Sequence, residues 1–177
     1  SCPETDSGGS WTGRFAAPLG VSVGLDPSPA MLSLAARRGL QVVRGVAERL
    51  PFSDQAFDHA LVVTTICFVD SARDMLSEIR RVLTRRGTLV IGFIDRDSTL
   101  GQDYLAHRDE NVFYRVARFY SASEVESLLL ETGFGALQWA QTLFGPLPQI
   151  RDLEPLRRGR GEGAFVVVAG SVQHRTG

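Results

Sequence analysis

A chain of 177 residues, 44% apolar and 22% charged, is long enough to bury one real core and has the balance of an ordinary globular domain. A formal net charge of −1 gives no general pull toward nucleic acid or anionic membrane, and no run of about 18 apolar residues offers a spanning helix. All 19 basic residues are arginine, so a P-loop lysine, a Schiff-base lysine, a kinase lysine and a Tyr-x-x-x-Lys dehydrogenase pair are excluded in this chain. The two cysteines, Cys2 and Cys67, are too few for a disulfide framework, and no signal-peptide pattern opens the sequence. The expected compartment is a reducing cytoplasm.

The first stretch, SCPETDS, has no alternation and contains a proline, so it makes a poor strand. With Ser rather than Met at position 1, the expectation is a chain whose first segment is truncated or altered. SGGSWTGRF follows as a glycine-rich turn entering a small-residue helix, and VSVGLD (21–26) reads as a short buried strand. Ser28 and Pro29 open a helix that Gly39 stops, and LQVVRG (40–45) is the next strand. FDHALVVTTICFV (57–69) contains a strand with both faces covered. Ser71 and Asp74 predict a helix start, with Met75, Leu76, Ile79, Val82 and Leu83 on one face and Arg85-Arg86-Gly87 closing it.

TLVIGFID (88–95) is the fourth predicted strand, the fifth if the missing first one is counted. Residues 95–120 interrupt the alternation as an aromatic-rich insert. Ser121 and Glu124 predict a capping box for a helix that Gly133 ends, with Val125, Leu128 and Leu129 inward. ALQWAQTLF (136–144) and GAFVVVAGSV (163–172) read as final strands joined by a Pro- and Arg-rich loop. Alternating strands and helices predict an α/β fold with a largely parallel sheet in a single domain spanning 1–177.

In order, these segments resemble the class I S-adenosylmethionine-dependent methyltransferases, most closely the small-molecule group that includes the UbiE-type quinone methylases. Gly9, Thr12, Gly13, Arg14 and Phe15 stand where that family's loop reads acid-x-Gly-x-Gly-Thr-Gly-Arg-Phe. Trp11 occupies the middle glycine and Ser7 the acidic position. GLDPSPAML, RGVAERLPFSDQAFD, TTICFVDSARDMLSEIRRVLTRRGTLVIGF and FYSASEVESLLLETGF match the later motifs at family-like spacing. The resemblance covers residues 9–172 and implies a Rossmann-like, seven-stranded sheet with helices on both faces. Strand order would be 3-2-1-4-5-7-6, with the first, central strand absent or irregular in this chain.

The resemblance also implies S-adenosylmethionine as cofactor, with Gly9 and Gly13 along its methionine portion. Asp26, with Pro27 beside it, would accept the ribose hydroxyls; the competing reading is an acid supporting the dipole of the next helix. Val46 and Ala47 would lie beside the adenine, and Glu48 reads as a solvated surface acid. Thr64 and Thr65 would line the methionine or the methyl group, or serve only as β-branched strand residues. Cys67 reads as a buried small hydrophobe. The 95–120 insert would cover the substrate, with Tyr104, His107, Tyr114 and Arg118 facing it and His107 or Tyr104 as general base; the competing reading packs these aromatics down.

No metal set is visible, since His59 and His174 lack partners at ligand spacing. The Arg157, Arg158 and Arg160 cluster reads as a solvated face rather than a nucleic-acid patch. The expected partner is a small-molecule methyl acceptor, without nucleic acid or membrane, and no catalytic residue or oligomeric state is assigned. A non-catalytic or truncated relative serving as a binding module is the rival, favoured by Trp11 and the missing strand. A nicotinamide-dependent dehydrogenase shares the Asp26 logic but is disfavoured by the absence of lysine.

Overall fold

In the computed structural model, residues 22–173 are described, apart from Asn111, Pro146 and Arg151 and the side chains of Phe113 and Pro148. The expected first strand, the glycine turn with Gly9, Trp11 and Gly13, and His174 lie outside the described residues. The elements run β1 (Val23–Asp26), α1 (Pro29–Arg37), β2 (Gln41–Arg44), β3 (Phe57–Val63), α2 (Ala72–Val82) and β4 (Leu83–Ile94). They continue with α3 (Thr99–Ala106), α4 (Val112–Val116), α5 (Ala122–Glu131), β5 (Phe134–Thr142), β6 (Arg157–Arg158) and β7 (Phe165–Val172).

β1 and β2 pair in parallel as a two-stranded sheet, and a second sheet has the order β3-β4-β7-β5-β6. β3 and β4 are parallel, whereas β7 runs antiparallel between β4 and β5. The predicted largely parallel sheet is therefore mixed in this half. The reason is the connection from β5 to β7: it contains no helix of crossover length, so the chain returns in the opposite direction.

α2 follows from its spacing. Met75, Leu76 and Ile79 recur on one face and share one core with Leu89, Ile91 and Phe93 of β4 and Val166 and Val168 of β7, and Val82 on the same helix is buried as well. Each such side chain contributes on the order of 2 kcal/mol of apolar burial. Ser71 caps the helix by accepting from the Asp74 amide. Its end differs from the sequence expectation. The helix stops at Val82, because Leu83 turns extended (ψ 141), is buried, and pairs with Phe57.

The register next resumes at His59 and Thr88, so residues 84–87 bulge from the strand and Arg85 and Arg86 ride on its exposed side. Gly87 is required there, since a Cβ would stand 2.8 Å from that of Leu83. The predicted strand at 88–95 is thus the second part of a longer one.

α5 carries the predicted capping box in full. The Ser121 side chain accepts from the Glu124 amide, and the Glu124 side chain accepts from the Ser121 amide at 2.7 Å. Val125 and Leu129 bury its inner face, and Gly133 leaves the helix at φ 87. Ser121→Ala should destabilise the fold by about 1 kcal/mol in denaturant unfolding; an unchanged midpoint would show that Glu124 alone suffices.

Candidate functional site

The carboxyl ends of β1 and β2 form one edge. Asp26 and Arg44 are register partners, so both strands end at the same level. The Gly45 amide donates to the Asp26 carbonyl at 3.3 Å, and Arg44 Nε donates to the Pro27 carbonyl at 3.3 Å. The Asp26-Pro27 turn is thereby tied to the start of the Val46 loop. Asp26 Oδ1 accepts from the Ser28 amide at 2.8 Å, which supports the start of α1, whose Ser28 makes no side-chain cap. A carboxylate has about four acceptor sites, so supporting that turn is compatible with accepting a pair of hydroxyls.

The segment between β2 and β3 has little regular structure of its own beyond a bridge between Val46 and Arg49. α2 holds it by both ends. Glu48 Oε1 accepts from the amides of Asp70 at 2.7 Å and Ser71 at 3.4 Å, so Glu48 is anchored at the start of α2 rather than simply solvated. Farther along α2, Glu78 Oε2 accepts from the Leu50 amide at 2.8 Å. Arg81 donates to the Leu50 and Phe52 carbonyls, to Asp54 and to Glu78. The Gln55 amide closes the set on the Arg81 carbonyl at 3.0 Å. Hydrogen bonding to Arg81 holds the Glu78 carboxyl below its usual range, against a smaller opposing effect of burial. Val46 remains 48% exposed and Ala47 packs on the core.

At the end of β3, Thr64 adopts φ 56, a left-handed backbone that β-branched residues rarely take. It is held there: its amide donates to the Gly92 carbonyl at 2.8 Å, and its carbonyl accepts from the Cys67 thiol at 2.9 Å. Thr64 and Thr65 both turn their hydroxyls back to the Val63 carbonyl. Burial pushes the Cys67 thiol up to about 12, which agrees with an inert small hydrophobe rather than a nucleophile. The Arg118 amide donates to the Cys67 carbonyl at 2.8 Å, and the Arg96 amide to the Tyr120 carbonyl at 3.0 Å. Residues 95–120 therefore leave and rejoin the sheet at its carboxyl edge.

Within that insert, Tyr104 and Tyr114 stack at 4.3 Å, and Phe119 stands about 6 Å from both rings. Burial, and then the Tyr114 hydroxyl, raise the Tyr104 hydroxyl above its ordinary value. His107 stands exposed at the end of α3, with Nδ1 2.9 Å from the Asp103 carbonyl; that contact and the Asp103 charge raise it. Both shifts are toward the protonated form. Arg118 lies over the Tyr120 ring at 5.1 Å and lines a groove of about 520 Å³ with Asp70, Ser71 and Ser123.

The chain as a whole has close counterparts among solved and curated proteins. The methyltransferase domain family matches residues 6–91. A crystal structure of a SAM-dependent methyltransferase from Thermotoga maritima is 45% identical, with a TM-score of 0.87 over 90% of this chain and 77% of that one. The chain belongs to the class I S-adenosylmethionine-dependent methyltransferases. An uncharacterized protein of Methanocaldococcus jannaschii is 40% identical over 89% of this chain and 77% of its own length. An uncharacterized Mycobacterium tuberculosis protein is also 40% identical, over 91% of this chain, which spans 57% of that protein.

In methyltransferase terms, the described strand order is 3-2, then 4-5-7-6, with S-adenosylmethionine the family's cofactor. The structure brings Asp26, Pro27 and the Val46 loop together through Gly45 and Arg44, and links the Val46 loop through Glu48 to the segment after Thr64 and Thr65. Among the described residues, the hydrogen bond and ion pair of His107 go to Asp103.

Two features of the site are not marked by the motifs. One is the Glu78 and Arg81 pair, whose signal was their position beside the apolar stripe of α2. The other is Asp95, 5% exposed, whose Oδ1 accepts from the Asp97 and Ala122 amides and so joins the insert to α5. An acid ending a strand, as Asp26 does, was the signal for Asp95. Arg160, read as part of a solvated cluster, instead lies over Trp139 at 4.6 Å and binds Glu126 at 2.5 Å.

Thr64→Gly should raise unfolding stability by about 1 kcal/mol through relief of the left-handed strain; a clear loss would place the cost elsewhere. Because the folded value of Glu78 is depressed, its stabilising contribution is complete above the ordinary glutamate range and is lost as pH falls through the depressed value. Glu78→Gln should therefore flatten that acid limb in a pH series of thermal midpoints.

Proposed function

We propose that this chain transfers a methyl group from S-adenosylmethionine to a small-molecule acceptor, with the cofactor lying across the carboxyl ends of β1, β2 and β3. The observation that carries the reading is the shared level of Asp26 and Arg44 at the ends of parallel strands, where open α/β sheets hold their ligands. The donor set fits. Asp26 retains acceptor capacity for both ribose hydroxyls, beside Pro27. Glu48 is occupied at α2, which leaves the backbone of Val46 and Ala47 to meet the adenine edge.

Thr64 and Thr65 stand at the end of the next strand, beside the expected path of the methyl group. Gly9 and Gly13 are proposed for the methionine portion on their sequence pattern. Bound, the cofactor supplies an electrophilic sulfonium methyl. The protein's own work is then to align the acceptor with the S–CH3 bond and to exclude water, because charge is lost in the step. Residues 95–120 supply the cover within a single domain. The Tyr104, Tyr114 and Phe119 cluster offers a flat apolar wall for a small acceptor. Arg118 and His107 mark the polar side of that insert.

No helix among the described residues is long and apolar enough to cross a membrane. The two cysteines and the near-neutral charge favour cytoplasmic work on a small molecule rather than on nucleic acid.

Calorimetric titration of S-adenosylhomocysteine into this chain should give micromolar binding that Asp26→Ala weakens at least about a hundredfold, since two charge-assisted hydrogen bonds are lost. No binding by the folded wild-type chain would favour the non-catalytic reading, with Trp11 in the glycine turn as its reason.

A further inference from the structure

We propose that Glu78 and Arg81 form a positioning pair for the adenine end of the cofactor, setting its affinity by fixing the backbone path of residues 46–55. The inference rests on the reading that Val46 and Ala47 face the adenine. Its own support is the way this loop is held.

Apart from the Val46 and Arg49 bridge and partial packing of Ala47 and Leu50 on the core, the loop has little local structure to define its course. Arg81 grips it mostly through main-chain atoms: the carbonyls of Leu50 and Phe52 from its guanidinium, and the Gln55 amide from its own carbonyl. Glu78 takes the Leu50 amide with one oxygen, and its carboxylate accepts from Nε and Nη2 of Arg81. A planar guanidinium can meet several acceptors at fixed angles, which a lysine cannot. The grip fixes where the chain goes whatever side chains the loop carries.

α2 is itself immobilised by its buried face, so the pair transmits the position of a rigid helix to the loop. Glu48 does the same at the other end of the helix, through the Asp70 and Ser71 amides. Val46 and Ala47 thus lie just before one anchor, with the second following at Leu50. A loop that must be ordered by its ligand binds more weakly than one already ordered. Removing the pair should therefore lower affinity for any ligand that carries the adenosine group.

The test uses Arg81→Met, Arg81→Lys and Glu78→Gln in the full chain. Arg73→Met serves as the control, because Arg73, on the same helix as Arg81, directs its guanidinium to Glu131 of α5. Thermal midpoints are measured for all, and titrations are run where each is folded. The ligands are S-adenosylhomocysteine and 5′-methylthioadenosine, which keeps adenine and ribose but lacks the amino-acid end.

Arg81→Met should weaken both ligands by about tenfold or more and by a similar factor. Arg81→Lys should recover part of the loss, and Arg73→Met should bind within about twofold of wild type. If Arg81→Met does not fold, Glu78→Gln carries the test, with weaker binding of both ligands expected. Wild-type affinity in folded Arg81→Met, or equal weakening by Arg73→Met, would overturn the positioning role and leave a structural brace. If wild type binds and Asp26→Ala does not, such a failure belongs to this inference alone. If wild type binds neither ligand, the cofactor reading falls and takes this inference with it.

Discussion

The burial of one face of α2 is the constraint on which the rest of the chain depends. Met75, Leu76 and Ile79 share one core with β4 and β7, and their removal from water fixes the helix in rotation as well as position. A helix turns about 100° per residue, so choosing which side faces the core also chooses where Ser71, Glu78 and Arg81 point. Ser71 caps the helix at the Asp74 amide and meets Glu48 with its own amide, while Glu78 and Arg81 reach the loop before β3. The apolar stripe thus positions the polar network.

That network matters because the described strands form separate sheets. β1 and β2 pair only with each other among the described residues, and β3 begins the larger sheet. Hydrogen bonds from charged side chains to main-chain groups span the connection between them. Such bonds hold the backbone itself and are stronger than neutral ones. Exposed ion pairs such as Arg73 with Glu131 do much less. The chemistry proposed for the carboxyl edge needs geometry above all, and this is the part of the molecule where geometry is imposed on otherwise irregular chain.

The same edge carries the backbone departures. Thr64 is held left-handed by bonds to Gly92 and Cys67, and Asp95 is buried with its carboxylate given to the insert and to α5. Rigid, apolar β4 lies beneath both, with Leu89, Ile91 and Phe93 in the core. Strain and buried polarity persist where surrounding packing over-determines them. The methyl transfer proposed for this edge would draw on orientation at strand ends and loop positions.

The sequence by itself determined the order of strands and helices, the capping of α2 and α5, and the apolar stripe of α2. These rest on spacing and on cap residues within one turn, which are local properties. It also marked Asp26 and the Thr64, Thr65 pair as strand-end residues, and the family motifs ordered them. The tertiary structure alone decided that the helix stops at Val82, because Leu83 is taken by Phe57 across the sheet. It alone reversed β7 against its neighbours and turned Glu48 and Arg160 from surface charges into anchors. Those outcomes depend on partners far away in the chain, and no local pattern records which distant amide or ring a charged side chain will meet.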